Sequence, residues 1–135
     1  VDPVTKVLLS RSQLGCGGPG FDVTAKSATG WAKDLAPPWD LVRRYRACAI
    51  DDAAYTEIYL RQLSELPEVI WDVVYETGLM QPKQRLVFQC YCPNSAPFCH
   101  THILVGYLVK HDAQRFSDAR PAFMQPSIKS ADRRF

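Results

Sequence analysis

The chain has 135 residues, 47% of them hydrophobic and 22% charged, with a formal charge of +2 at neutral pH. That length suits one domain and excludes two ordinary ones, and the composition is that of a globular protein with a real core. So small a net charge makes no general case for nucleic acid or a lipid surface, and the apolar runs VLL, VIWDVV and HILVGYLV are too short or interrupted to span a membrane.

Val1 to Lys6 lacks the basic, apolar and small-residue order of a signal peptide. The five cysteines are odd in number and are not spaced as a disulfide framework. A reducing, cytoplasmic setting is the expectation.

Val4 to Ser10 (VTKVLLS) is aliphatic and β-branched, which predicts a first strand. It runs into Leu14 to Gly20 (LGCGGPG), an irregular loop in which Gly15, Gly17 and Gly18 could let backbone N–H groups wrap an anion. No helix signal follows at once and no Lys-Ser/Thr closes the motif, so a plain connection is the commoner role. Phe21 to Ala25 reads as a second short strand. Trp31 to Leu35 makes a helical turn stopped by Pro37-Pro38.

Pro38 suits the start of a helix from Trp39 to Cys48, with Trp39, Val42 and Tyr45 on one side and Arg43, Arg44 and Arg46 elsewhere on the cylinder. The arginines could contact phosphate, although a solvated face is the usual fate of such a cluster. Asp51 and Asp52 cap a helix from Ala53 to Leu66 with Tyr55, Ile58, Tyr59, Leu63 and Leu66 toward the core. Pro67 opens another from Glu68 to Thr77, with Val69, Ile70, Val73 and Val74 inward and Gly78 where a helix would stop. Arg85 to Cys92 has the strongest strand pattern in the chain.

The stretch that gathers chemistry is Arg85 to Val109, which holds three of the five cysteines and two of the three histidines. Strand alternation puts Cys90 and Cys92 on one face. Cys99 then falls in the first turn of the next helix, where unpaired N–H groups and the helix dipole favour thiolate over thiol. His100 is adjacent, and His102 points elsewhere on the helix.

Three uses of these residues stand open. Cys90 and Cys92 could be core filler. Cys99, His100 and backbone donors could line an anion or nucleotide pocket. Cys90, Cys92, Cys99 and one histidine could hold a metal, although zinc knuckles usually place two residues between paired cysteines and here there is one. No metal and no other cofactor is assigned on this basis.

The segment DLAPPWDLVRRYRACAIDDAAYTEIYLRQL, a strand ending in CYC, and FCHTHILVGYL together resemble the family called domain of unknown function 488. The resemblance runs from about Val4 to Leu108, and the glycine-rich start with DVTAKS is similar to its short members. It implies a compact three-layer α/β fold and recurring positions at Cys90, at Cys99 with His100, and at Tyr55 and Tyr59. Many members carry an arginine after the Cys-His pair. Thr101 stands there in this chain, which removes a cation able to bind phosphate. The family brings no settled activity.

The expected fold is thus α/β, a small three-layer sheet flanked by helices, with residues 1–112 as the domain and 113–135 as an extended or partly disordered arm. The expected function is a small-ligand protein binding or acting on a nucleotide or nucleobase, with Cys99 and His100 catalytic and Gly15, Gly17, Gly18, Cys90, Cys92, Tyr55 and Arg44 in binding roles. Whether a reaction occurs is left open. The alternative is a non-enzymatic binding or regulatory module that uses its basic helix and its arm, the latter also a route to a homo-oligomer; nucleic acid has weak support as a partner and a membrane has none.

Overall fold

A computed structural model describes residues 5–15, 20–121 and 123 of the chain. It is an α/β structure whose described residues form four strands and five α-helices. In chain order these are β1 (Val7–Gln13), β2 (Phe21–Asp22), α1 (Trp31–Leu35), α2 (Trp39–Arg46), α3 (Asp52–Ser64), α4 (Glu68–Leu79), β3 (Arg85–Cys90), α5 (His100–His111) and β4 (Phe116–Asp118). The strands lie in the order β2-β3-β1-β4 and every pairing is parallel. Parallel neighbours need crossover connections, and the helices supply them.

Register fixes which side chains share a face. Leu9 pairs with Leu86 and Arg11 with Phe88, while Ser10 pairs with Val87 and Ser12 with Gln89. One face therefore carries Val7, Leu9, Leu86 and Phe88, all fully buried. Against it pack Trp71 and Val74 of α4 and Ile103, Leu104 and Leu108 of α5 in one continuous core. The other face carries Ser10, Ser12, Val87 and Gln89, with Gln89 Nε2 donating to Ser12 Oγ at 3.1 Å.

The helix ends follow local chemistry. Asp51 caps α3 by accepting from the Ala54 N–H at 2.8 Å, satisfying one of the donors that a helix start leaves open. Pro38 and Pro67 precede α2 and α4, where a missing N–H costs nothing. Tyr59 locks α3 to α1, its buried hydroxyl donating to the Leu35 carbonyl at 2.5 Å.

Several expectations change. β1 runs three residues beyond Ser10 and takes Arg11 into the sheet. β3 ends at Cys90, so Cys92 lies in the bend that follows. Gly78 does not stop α4. It lies inside the last turn, buried, where a Cβ would stand 2.5 Å from Val7 Cγ1. The helix needs a residue without a side chain there because β1 already fills the space. Val69, expected inward, is exposed, and Trp71 takes the buried position instead. Phe116–Asp118 joins the sheet as β4, past the expected domain end at 112, because Phe116 is buried beside Val7. The rest of the expected arm, apart from residues 113–115, 119–121 and 123, lies outside the described residues.

Candidate functional site

The carboxyl ends of β2 and β3 meet the start of α5 at a cavity of about 340 Å³. In open parallel sheets this end is where ligands bind. Two hydrogen bonds pin the loop after β3 to the end of β1: the Leu14 N–H donates to the Cys90 carbonyl at 2.7 Å, and the Gln13 N–H to Asn94 Oδ1 at 2.8 Å. The loop then returns to α5, whose N-cap residue is Cys99.

Cys90, Cys92, Cys99 and His100 form the inner wall of the cavity. Cys90 Sγ and Cys99 Sγ are 3.1 Å apart, and all three sulfurs lie within 4.8 Å of one another. A soft, thiophilic ion could be held by such a trio. Beneath it, Arg11 is 1% exposed. Its Nη2 donates to Cys90 Sγ at 2.9 Å and to the Cys92 carbonyl at 3.0 Å, its Nη1 to the Pro93 carbonyl at 3.0 Å, and its Nε to Thr101 Oγ1 at 3.0 Å. Among the described residues no carboxylate forms an ion pair with it. A cation this buried is normally paired, and here its only polarisable partner is sulfur.

Hydrogen bonds from Cys90 and then Cys92 hold the Cys99 thiol well below the usual thiol range, outweighing the effect of burial. Hydrogen bonds with Cys90 first and then Cys99, together with burial, push Cys92 up, so Cys92 keeps its proton. The helix start adds to the first effect.

His100 is oriented from both sides. Its Nε2 lies 2.9 Å from the Val23 carbonyl, an acceptor only, so Nε2 carries the proton. The lone pair of Nδ1 then faces Cys99 Sγ at 3.7 Å. Burial lowers the pKa of His100 and keeps it neutral. Tyr59 packs edge-on against its ring, with centroids 5.8 Å apart. His102 points away, with Nε2 at 3.0 Å from the Ala96 carbonyl and Nδ1 accepting from Arg120.

The outer walls are aromatic. Trp39, Val42 and Tyr45 of α2, Tyr55 of α3, and Phe98 line the cavity. Tyr45, Tyr55 and Phe98 form a triangle with centroid separations of 5.1, 5.4 and 5.6 Å. Burial first, and then the charge of Cys99, raises the pKa of Tyr55 far above the ordinary phenol range, so its hydroxyl stays neutral. At the solvent edge Lys26 Nζ stands 3.9 Å from the Trp39 ring centre and the Arg46 guanidinium 5.5 Å from it.

Of the residues singled out in the sequence, Cys90, Cys92, Cys99, His100 and Tyr55 share this cavity. Arg44 is exposed and does not line it; Arg46, two positions on and turned to the other side of α2, does. Gly15 sits in an exposed turn at φ 81° and does not line the cavity, and Gly17 and Gly18 lie outside the described residues. Thr101 instead accepts from Arg11 Nε, a buried cation that does not itself line the cavity. Sequence reasoning passed over Arg11, and its one signal was a charged residue directly following an aliphatic strand.

A family model described as DUF488-N3a, the active DUF488-N3 subclade, matches residues 18–112. The match takes in all the cavity residues named above and leaves Arg11 outside it. No curated protein and no solved structure matches the chain. No helix among the described residues is long and apolar enough to cross a membrane.

Proposed function

This chain belongs to the DUF488 family, and from that premise we propose that it binds a nucleobase or nucleotide in the aromatic cavity and acts on it through Cys99. The observation that carries this reading is the convergence of an activated thiol, a neutral histidine and stacked aromatic rings on one cavity. The volume of about 340 Å³ suits a small flat ligand. Trp39, Tyr45, Tyr55 and Phe98 offer ring faces for a base, and Lys26 and Arg46 at the edge offer charge for a phosphate. The family description, with its word active, favours chemistry over passive binding.

In this reading Cys99 attacks an electrophilic carbon of the bound ring as thiolate. His100 Nδ1, the lone pair that the Val23 carbonyl leaves free by holding Nε2–H, takes a proton from water and passes it, as general acid, to the ring atom that gains electrons. Cys90 and Cys92 donate hydrogen bonds that stabilise the attacking sulfur, and Arg11 offsets the charge of the cluster from below.

The test is native mass spectrometry with elemental analysis of untagged protein, followed by thermal shifts with a panel of bases, nucleosides and nucleotides. A retained or added ligand of nucleotide size that raises Tm, with a Cys99→Ser variant that binds but forms no adduct, supports the reading. Stoichiometric zinc on the three sulfurs would take Cys99 out of use as a nucleophile and sink it. So would a panel in which nothing shifts Tm.

A further inference from the structure

Cys90 is placed where a core filler has no reason to be. Its sulfur touches Cys99 Sγ at 3.1 Å, lies 3.6 Å from Thr101 Oγ1, and receives the Arg11 guanidinium at 2.9 Å. A disulfide needs about 2.05 Å between sulfurs, so closure asks for a movement of roughly 1 Å. The irregular segment between the end of β3 and the start of α5 can supply it, because both sulfurs sit at element ends: Cys90 closes the strand and Cys99, with extended backbone at φ −166°, is the helix N-cap. Both also line the cavity, with 1% and 4% of their surfaces exposed.

We propose that Cys99 and Cys90 form a reversible oxidation site for hydrogen peroxide, with Cys99 attacking and Cys90 resolving. The inference rests on the reading of Cys99 as the nucleophile of the cavity and adds a second substrate class to it. In the first step the Cys99 thiolate attacks one peroxide oxygen. The S–O bond forms, the O–O bond breaks, and the leaving hydroxide takes a proton and departs as water, leaving a sulfenic acid. In the second step the Cys90 sulfur attacks Cys99 Sγ. The S–S bond forms, the S–O bond breaks, and the hydroxyl leaves as water with the proton of Cys90. Two thiols have been oxidised and one peroxide reduced to two waters; an external thiol reverses the bridge.

Cys90 rather than Cys92 is the partner for two reasons. The 3.1 Å contact is made by Cys90, and the Arg11 guanidinium on its sulfur favours the thiolate form from which Cys90 attacks. Once bridged, Cys99 is unavailable to a bound ligand.

The experiment uses the full chain, reduced and treated with a chelator, then exposed to one equivalent of hydrogen peroxide and blocked with N-ethylmaleimide. Chymotrypsin cuts after Tyr91 and Phe98, which puts the three cysteines on separate peptides. The expected result is loss of two hydrogens from the intact mass, a bridge joining the Cys90 and Cys99 peptides, and full recovery with dithiothreitol. Cys90→Ser is expected to stop at a dimedone-reactive sulfenic acid on Cys99. A bridge to Cys92, or free Cys90 and Cys99 after peroxide, overturns the proposal, and the wild-type digest decides this even if the variant does not fold. Nucleotide binding by the reduced protein is measured first. Binding without a bridge overturns this inference alone, and a bridge without binding overturns the nucleotide reading while leaving the oxidation site standing.

Discussion

The guanidinium of Arg11 lies 2.9 Å from the sulfur of Cys90, and no carboxylate among the described residues answers its charge. One side chain from β1 thereby ties together the end of β3, the loop after it and the first turn of α5. Arg11→Met removes the cation and strands the carbonyls of Cys92 and Pro93. Taking one member from a buried charged cluster costs about 3 kcal/mol, which urea unfolding will measure. Cys99 should also react more slowly with methyl methanethiosulfonate at neutral pH. A variant with wild-type stability and a wild-type rate would make Arg11 a mere filler of space.

His102 ties folding to pH. Its Nε2–H is held by the Ala96 carbonyl and its Nδ1 accepts from Arg120, so no site remains for a second proton. Burial, with Arg120 and Arg11 nearby, lowers it from 6.5 to about 4. A folded-state value below the unfolded one means stability is full above pH 6.5 and is lost as pH falls toward 4. The loss from this group is roughly 3 kcal/mol. His100 is lowered too, chiefly by burial, and acts in the same direction. Asp118, raised by burial but lowered further by Arg120, adds its loss at still lower pH. Unfolding free energies at pH 7.5 and pH 4 should therefore differ by at least the His102 amount in wild type, and by less in His102→Gln. Equal values at the two pH points would show that the imidazole is not held neutral.

Much of this architecture is legible in the chain because its signals are local. Asp51, Pro38 and Pro67 mark helix starts through bonds made within a few residues. The spacing of Cys90, Cys92, Cys99 and His100 places them at a strand end and a helix start, which the parallel sheet brings to one edge. What is not legible depends on partners far along the chain. Arg11 meets residues 79 to 90 positions away, so its neighbours in sequence say nothing of its role. The stripe Trp39, Val42 and Tyr45 has helical spacing, but spacing does not distinguish a face against the core from one against a cavity. Trp39 is 37% exposed, and Leu41 is the buried residue of α2. β4 has three residues, too few for any period to appear.

Gly78 carries a packing prediction. Alanine at that point in α4 gains about 1 kcal/mol in helix propensity, yet its Cβ would meet Val7 Cγ1 at 2.5 Å and Cγ2 at 2.9 Å. Val7 is branched, fully buried and fixed in the sheet by its N–H to the Arg115 carbonyl at 2.8 Å, so it cannot swing aside. Overpacking of this kind costs typically 1–3 kcal/mol or more, and the net effect should be a loss of about 1–2 kcal/mol. Thermal melting of Gly78→Ala checks it. An unchanged or raised Tm would mean that α4 and β1 are not held this closely.

Trp39 separates binding from folding. Its ring lines the cavity but is 37% exposed, and it lies outside the buried core cluster, so Trp39→Ala should leave Tm nearly unchanged. Its value to a bound base would be different. Stacking of one base on an aromatic side chain contributes about 1–3 kcal/mol, which is roughly a fivefold to 150-fold change in Kd. The variant also removes the ring that Lys26 and Arg46 rest on, and with it the ordering of the two cations nearest the edge of the cavity. Affinity for a nucleotide should therefore fall more than affinity for the free base, since only the nucleotide carries a phosphate for those cations. Isothermal titration of wild type and Trp39→Ala with a matched base and nucleotide reads both effects. Equal losses for the two ligands would leave Lys26 and Arg46 out of recognition, and no loss for either would remove the aromatic wall from the binding site.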